Sequence, residues 1–276
     1  MGAGVSMSSG LPSWAGLLKR LVERLASQGL LSEALDLKTD KALRDFVVEK
    51  SSEMAPIITA RYLRAVSGDS RSFAYEVYNA LYDDLIEQPT PSKLVLSLAS
   101  LSECSRIYLN YNFDNLLEIA FSKTKRQAKA IWNERCESFA SGSVIYHPHG
   151  YLPYGGESIT DSHLSFDEVV LSEDAYHREY LNPFSWRNMV QVKCLYEGTG
   201  LLVGLSGNDP NLRRILEIAS ANAGRRHYVV LQKDSPPFGP AWNRLQARVF
   251  LELGLEVLWT NSYDDVPGLV AEIVAG

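Results

Sequence analysis

The chain has 276 residues, 46% of them hydrophobic, enough to bury a full core as one large α/β domain. A formal charge of −6 and a pI near 5.5 remove the electrostatic footprint of a general nucleic-acid binder, so direct nucleic-acid contact is not expected. Apolar runs such as Leu201-Leu202-Val203 are far shorter than the ~20 residues of a membrane helix, and no positively charged leader precedes an apolar region, so a soluble, cytoplasmic protein is expected. Cys104, Cys136 and Cys194 are odd in number and widely spaced, which leaves neither a disulfide framework nor a CxxC zinc pair.

The chain opens on Gly2-Ala3-Gly4-Val5-Ser6-Met7-Ser8-Ser9-Gly10-Leu11-Pro12, a glycine- and serine-rich loop. The helix after it carries Trp14, Leu17, Leu18, Leu21 and Leu25 on one face. Backbone N–H groups free of side-chain bulk, close to a helix N-terminus, form a seat for a pyrophosphate. An unstructured start explains the same glycines without function, and Met1–Ser6 also fits the N-myristoylation pattern. A nucleotide-binding loop normally hangs from a preceding strand, and that strand is missing ahead of Gly2. An apolar run upstream of Met1, a partner that fills the position, or a natural truncation would each account for it.

From about Leu30 to Leu101 apolar residues recur three and four apart, as in Leu43, Phe46, Val47 and in Tyr75, Tyr78, Leu81, Tyr82, Leu85. Four helices are expected, broken near Gly68-Asp69-Ser70 and Pro89-Thr90-Pro91. They form a helical insertion, about 30–101, inside a single domain spanning 1–276. After residue 103 strands and helices alternate, the pattern of a parallel sheet. Strands are expected near Ser105–Leu109, Ser143–Tyr146, Glu168–Leu171, Leu201–Leu205, His227–Leu231 and Glu256–Trp259. Helices are expected near Leu116–Ser122, Glu173–Tyr180, Pro183–Tyr196, Pro210–Ser220, Pro240–Leu253 and Asp265–Val274. The fold class is therefore α/β, a Rossmann-like, doubly wound and mainly parallel sheet with an inserted helical layer and its first strand missing.

Three stretches place polar groups at the carboxyl ends of strands, where open α/β sheets bind ligands. In Tyr108-Leu109-Asn110-Tyr111-Asn112-Phe113-Asp114-Asn115-Leu116-Leu117-Glu118 the amides and the acid exceed what helix capping needs. In His147-Pro148-His149-Gly150 an imidazole suits general acid–base work. No acid-rich or cysteine partner sits at ligand spacing from the two histidines, which argues against a metal site, and His147 also reads as a satisfied turn histidine. In Gly204-Leu205-Ser206-Gly207-Asn208-Asp209-Pro210 the acid is a natural N-cap with proline at the first helical position, and Gly204 and Ser206 are small enough to let backbone approach a phosphate or ribose.

Taken in order, GAGVSMSSGLPSW, NFDNLLE, HPHG and GLSGNDPNLRRIL resemble the sirtuin-like superfamily, and within it the bacterial anti-phage defence branch of NAD-hydrolysing domains. The resemblance implies that Asn112 orients the nicotinamide ribose and the attacking water, and that His149 is the catalytic histidine. It implies that Asp114 faces the nicotinamide carboxamide. Gly2, Ala3, Gly4 and Ser6 would form the phosphate loop, with Pro12 and Trp14 as the lid, Gly204 and Ser206 as the second phosphate and ribose contact, and Tyr263 closing over the adenine. NAD is then the substrate, with no metal required. The cysteine pairs of the protein-deacylating members are missing, and Ala15 stands where an arginine usually follows the lid aromatic. A zinc-less NAD-dependent deacylase and a non-catalytic NAD or ADP-ribose sensor are the alternatives. An unregulated NAD hydrolase would kill its host, so a homo-oligomer or a regulatory partner protein is expected.

Overall fold

Six strands build two three-stranded parallel sheets in the computed structural model, which describes residues 1–30, 45, 46, 49, 50, 53–83, 85, 87–136, 141–155, 169–223 and 225–276. In the first sheet β3 (Ser143–Tyr146) lies between β1 (Ile107–Leu109) and β2 (Ala128–Ile131). In the second, β5 (His227–Gln232) lies between β4 (Leu201–Leu202) and β6 (Leu255–Thr260). A neighbour on each side pairs both edges of β3 and β5, and Ile145, Val229 and Val230 are buried, while Val144 and Tyr146 on the other face of β3 are half-buried.

The helices of the described residues are α1 (Ala3–Met7), α2 (Trp14–Ser27), α3 (Pro56–Val66), α4 (Ser70–Tyr82), α5 (Lys93–Ser100), α6 (Leu116–Lys123), α7 (Glu173–Leu181), α8 (Trp186–Glu197), α9 (Pro210–Ala223), α10 (Gly239–Glu252) and α11 (Val266–Ala275). Ser13, Asp69 and Ser92 each accept a backbone N–H at the start of α2, α4 and α5, which fixes where those helices begin. On the anticipated face of α2, Leu17, Leu18, Leu21 and Leu25 are buried, and Val22 is buried beside them. It packs on α3 and α4, and ion pairs from Arg61 to Glu173 and from Arg64 to Asp174 tie α3 to α7. No helix of the described residues is long and apolar enough to cross a membrane.

Several expectations are corrected. The stretch expected to be a loop contains α1, a single helical turn that begins straight after Gly2. On α4 Leu81 and Tyr82 of the expected stripe are buried, together with Phe73, Ala74, Val77 and Ala80, whereas Tyr75 faces out at 41% exposure. In the first apolar group of the insertion Phe46 is helical and 55% exposed, while Leu43 lies outside the described residues with Val47. So does Glu168, and Val169–Leu171 forms no ladder because the Val170 N–H goes to the carbonyl of His149. Strand β4 stops at Leu202 because Gly204, at φ +70, turns the chain away. Strand β2 was not anticipated. It is an edge strand carrying Lys129 beside Arg126 and Lys125, and charge of that kind blunts edges while hiding the strand pattern.

The two sheets meet at the chain's first two residues. The Met1 amine donates to Leu109 O at 2.7 Å, Tyr111 N donates to Met1 O at 3.0 Å, and Gly2 N donates to Val203 O at 3.0 Å. Met1 and Gly2 thus stand in a strand position between β1 and the end of β4, and from there the chain enters α1 at the carboxyl edge of the sheets.

Candidate active site

Strand β1 ends in a turn built by its own amides. Asn112 N donates to Asn110 Oδ1 at 3.2 Å, and Leu116 N donates to Asp114 Oδ1 at 3.1 Å at the start of α6. Asp114 therefore caps the helix with one oxygen and keeps the other for the site. That oxygen, Oδ2, accepts from Ser6 Oγ at 2.7 Å, and Asn112 Nδ2 donates to Ser6 Oγ at 2.7 Å and to Gly2 O at 3.0 Å. The result is a chain of donors, Asn112 to Ser6 to Asp114, across more than a hundred residues of sequence. Burial raises the Asp114 carboxyl above the usual carboxylate range, while the bonds from Ser6 and Leu116 pull it down.

This cluster lines a cavity of about 40 Å³ together with Pro12 and Trp14. There is room for a few waters at most, so a nicotinamide ring enters only if the segment Gly2–Pro12 shifts. Gly204 holds the same segment from behind. Gly4 N donates to Gly204 O at 3.1 Å, and a Cβ on Gly204 would stand 2.6 Å from Val5 N. The smallness anticipated for a phosphate or ribose admits the Gly2–Val5 backbone instead. Gly204→Ala combines that clash with the left-handed φ, so a loss of roughly 2 kcal/mol or more is expected in denaturant unfolding.

The two histidines face different ways because Pro148 and His149 lie in a turn after β3, whereas on extended backbone residues two apart share a face. His147 is fully buried, with Nδ1 3.0 Å from Asn112 O and Nε2 2.8 Å from Glu118 Oε1. Its ring fixes the backbone of Asn112 against α6, a structural role that agrees with reading it as a satisfied histidine. His149 turns toward α7 and α9. Its ring lies edge-on to Tyr111 at 5.0 Å and to Tyr176 at 5.8 Å between centroids. Its Nε2 is buried without a hydrogen-bond partner, 3.7 Å from Asp209 Oδ2, which is ion-pair range and beyond a hydrogen bond. Desolvation lowers its pKa below the usual imidazole value, and the charge of Asp209 offsets part of that.

Asp209 does more than the cap that its sequence suggests. Oδ1 accepts Leu212 N at 2.7 Å, while Oδ2 accepts the Tyr176 hydroxyl at 2.7 Å and faces His149. Tyr176 had no sequence signal, because it reads as one more aromatic on the face of α7. Tyr111 joins the two halves: it lines the cavity beside Asn112 and packs on His149, with its hydroxyl donated to Gln191 Oε1 at 2.8 Å. Asn112, Asp114, Ser6, Ala3, Pro12 and Trp14 are thus brought to one cavity, with His149 one ring away. Ser206 is exposed, accepting only a 3.4 Å bond from Asn208 N, and Tyr263 is exposed in the 3-10 turn after β6. Asn112 is 8% exposed and His149 5%, so neither is the surface position that a ligand-facing residue suggests.

A family model described as a SIR2-like domain matches residues 106–255, which is 150 of the 276 residues. The match takes in the Asn112 turn, His149 and the Gly204–Asp209 loop. Gly2–Trp14, the helical layer and Tyr263 lie outside it. No curated protein matches the chain.

Proposed function

Because the chain belongs to the SIR2-like domain family, we propose that it is an NAD glycohydrolase that breaks the nicotinamide–ribose bond, acting as an effector of bacterial anti-phage defence. The observation that carries this reading is the orphaned Nε2 of His149. Leaving a buried polar atom unpaired costs roughly 1–3 kcal/mol, and a substrate hydroxyl or water is the partner it lacks.

In the reaction a water oxygen bonds to the anomeric carbon, and the bond from that carbon to the nicotinamide nitrogen breaks. Nicotinamide leaves neutral with the electron pair, and the water proton passes to a base and then to solvent. The transition state resembles an oxocarbenium ion. His149 is held neutral by burial and is the base, in contact with the reacting water or a ribose hydroxyl. Asn112 exchanges its bonds to Gly2 O and Ser6 Oγ for the ribose and the water when Gly2–Pro12 shifts. Asp114, with its carboxyl raised by burial, faces the carboxamide. Asp209 is a positioning residue that acts through His149.

Incubation with NAD, with and without an acyl-lysine peptide, tests the reading. Nicotinamide release at the same rate in both is expected. Release that needs the peptide would make the protein a deacylase, and binding without release would make it a sensor.

The acid limb of the pH profile is a separate check on His149. A base must be unprotonated, so kcat/KM stays level through neutral pH and falls only below the usual histidine range, near 6.5. The Asp209 carboxylate raises the His149 pKa, so Asp209→Asn moves the acid limb to lower pH. Asparagine still caps α9, so stability changes little. A limb that stays in place, or moves up, contradicts the assignment.

A further inference from the structure

Nicotinamide enters only when Gly2–Pro12 shifts, and that shift takes away both hydrogen bonds of the Asn112 side chain, to Gly2 O and to Ser6 Oγ. From then on the placement of Asn112 rests on its backbone. Its N–H donates to Asn110 Oδ1 at 3.2 Å, and its carbonyl accepts from His147 Nδ1 at 3.0 Å. A carbonyl only accepts, so Nδ1 carries a hydrogen. The other ring nitrogen lies 2.8 Å from Glu118 Oε1, a contact that one proton must bridge. Reversing the ring would put carbons at both contacts, so the two bonds together fix its orientation.

Glu118 and His147 stand on parts of the fold anchored apart from Gly2–Pro12. Glu118 lies on α6 one turn after Asp114, and that helix is seated in the core by Leu116, Leu117, Ala120 and Phe121. His147 directly follows β3 and donates its N–H to Ile131 O of β2 at 2.8 Å. Its buried ring packs on Tyr151 at 4.4 Å between centroids, and Tyr151 stacks on Trp132 at 5.3 Å. Glu118 keeps its bond to this ring although its second oxygen is buried without a partner, so packing alone does not account for an acid here.

We propose that Glu118 is a positioning residue for the reaction: through the His147 ring it holds the Asn112 carbonyl, and so keeps the Asn112 amide aimed at the ribose while Gly2–Pro12 is open. This role rests on the NAD hydrolysis proposed above and deepens it. Neither Glu118 nor His147 touches the reacting atoms.

Glu118→Gln puts an amide N–H where the bridging proton lies and keeps the bond to His147, whereas Glu118→Leu keeps the bulk and removes the bond. With leucine, kcat for nicotinamide release should fall about tenfold or more, as expected when a reacting group is misplaced, while KM stays within about threefold. Glutamine should keep kcat within about threefold of the unaltered chain. Amide exchange at Asn112, followed without NAD, should quicken by about tenfold or more with leucine and not with glutamine. In a His147→Leu background Glu118→Leu should lower kcat little further, since both act on one carbonyl. Thermal melts of each preparation correct kcat for the folded fraction. The role is overturned if the corrected kcat of the leucine variant is undiminished, if glutamine loses as much as leucine, or if exchange at Asn112 is the same in all three proteins. An unaltered chain that releases no nicotinamide overturns NAD hydrolysis and this role with it, whereas a chain that turns over NAD with Asn112 indifferent to Glu118→Leu overturns the role alone.

Discussion

His149→Gln is expected to lower nicotinamide release from NAD at least about a hundredfold, the usual worth of a general base. The fold should survive. Nε2 of His149 satisfies no other protein group, so its loss leaves no partner orphaned, and the stability cost should stay within the ordinary range of about 0.5–3 kcal/mol. The loss should appear in kcat more than in KM, because a base acts on the reacting water and not on the bulk of the dinucleotide. Nicotinamide release and a thermal melt on the same preparation check both halves. An undiminished rate returns His149 to being part of a turn.

Asn112→Ala should also abolish turnover, but with a second effect that the histidine variant lacks. The side chain is the donor to both Gly2 O and Ser6 Oγ, so its removal loses two buried hydrogen bonds, each worth roughly 0.5–1.5 kcal/mol, and loosens the segment Gly2–Pro12, although Gly2 O keeps Val5 N and Ser6 Oγ keeps Asp114. A cost of roughly 1–3 kcal/mol follows, read as a drop in Tm of several degrees. Ser6→Ala removes one of the two bonds, and the pair in a double-mutant cycle should be non-additive, since both residues act in one network. Additive losses would mean that Asn112 and Ser6 support the segment separately.

The residues that could be recognised in advance share one property: their chemistry does not depend on what lies opposite them. Asn112, Asp114 and His149 follow apolar strands directly, so the strand pattern alone locates them at a carboxyl edge. The same logic found β3 and β5, whose apolar residues include the buried Ile145, Val229 and Val230. What remained hidden depends on partners far along the chain. Asp209 is a complete N-cap within its own turn, and only the packing of α7 against α9 reveals that its second oxygen faces His149 and Tyr176. Gly204 shows its need for a small residue in sequence, but not that the Gly2–Val5 backbone, rather than a ligand, fills the space. Strand β2 was obscured by Lys129 and by the cations just ahead of it, charge of the kind that edge strands use to discourage pairing. The pairing of Met1 with β1 and Val203 has no local sequence signal at all, since two residues make no pattern.

The central claim is that this site consumes NAD with water as the acceptor. Its most direct test is a chromatographic time course of the purified chain with NAD alone, in which nicotinamide and ADP-ribose are both quantified. Equimolar appearance of the two, matching the NAD lost and absent from the His149→Gln preparation, is the predicted result. NAD that remains intact at equilibrium occupancy, or nicotinamide that appears equally with the variant, would contradict it.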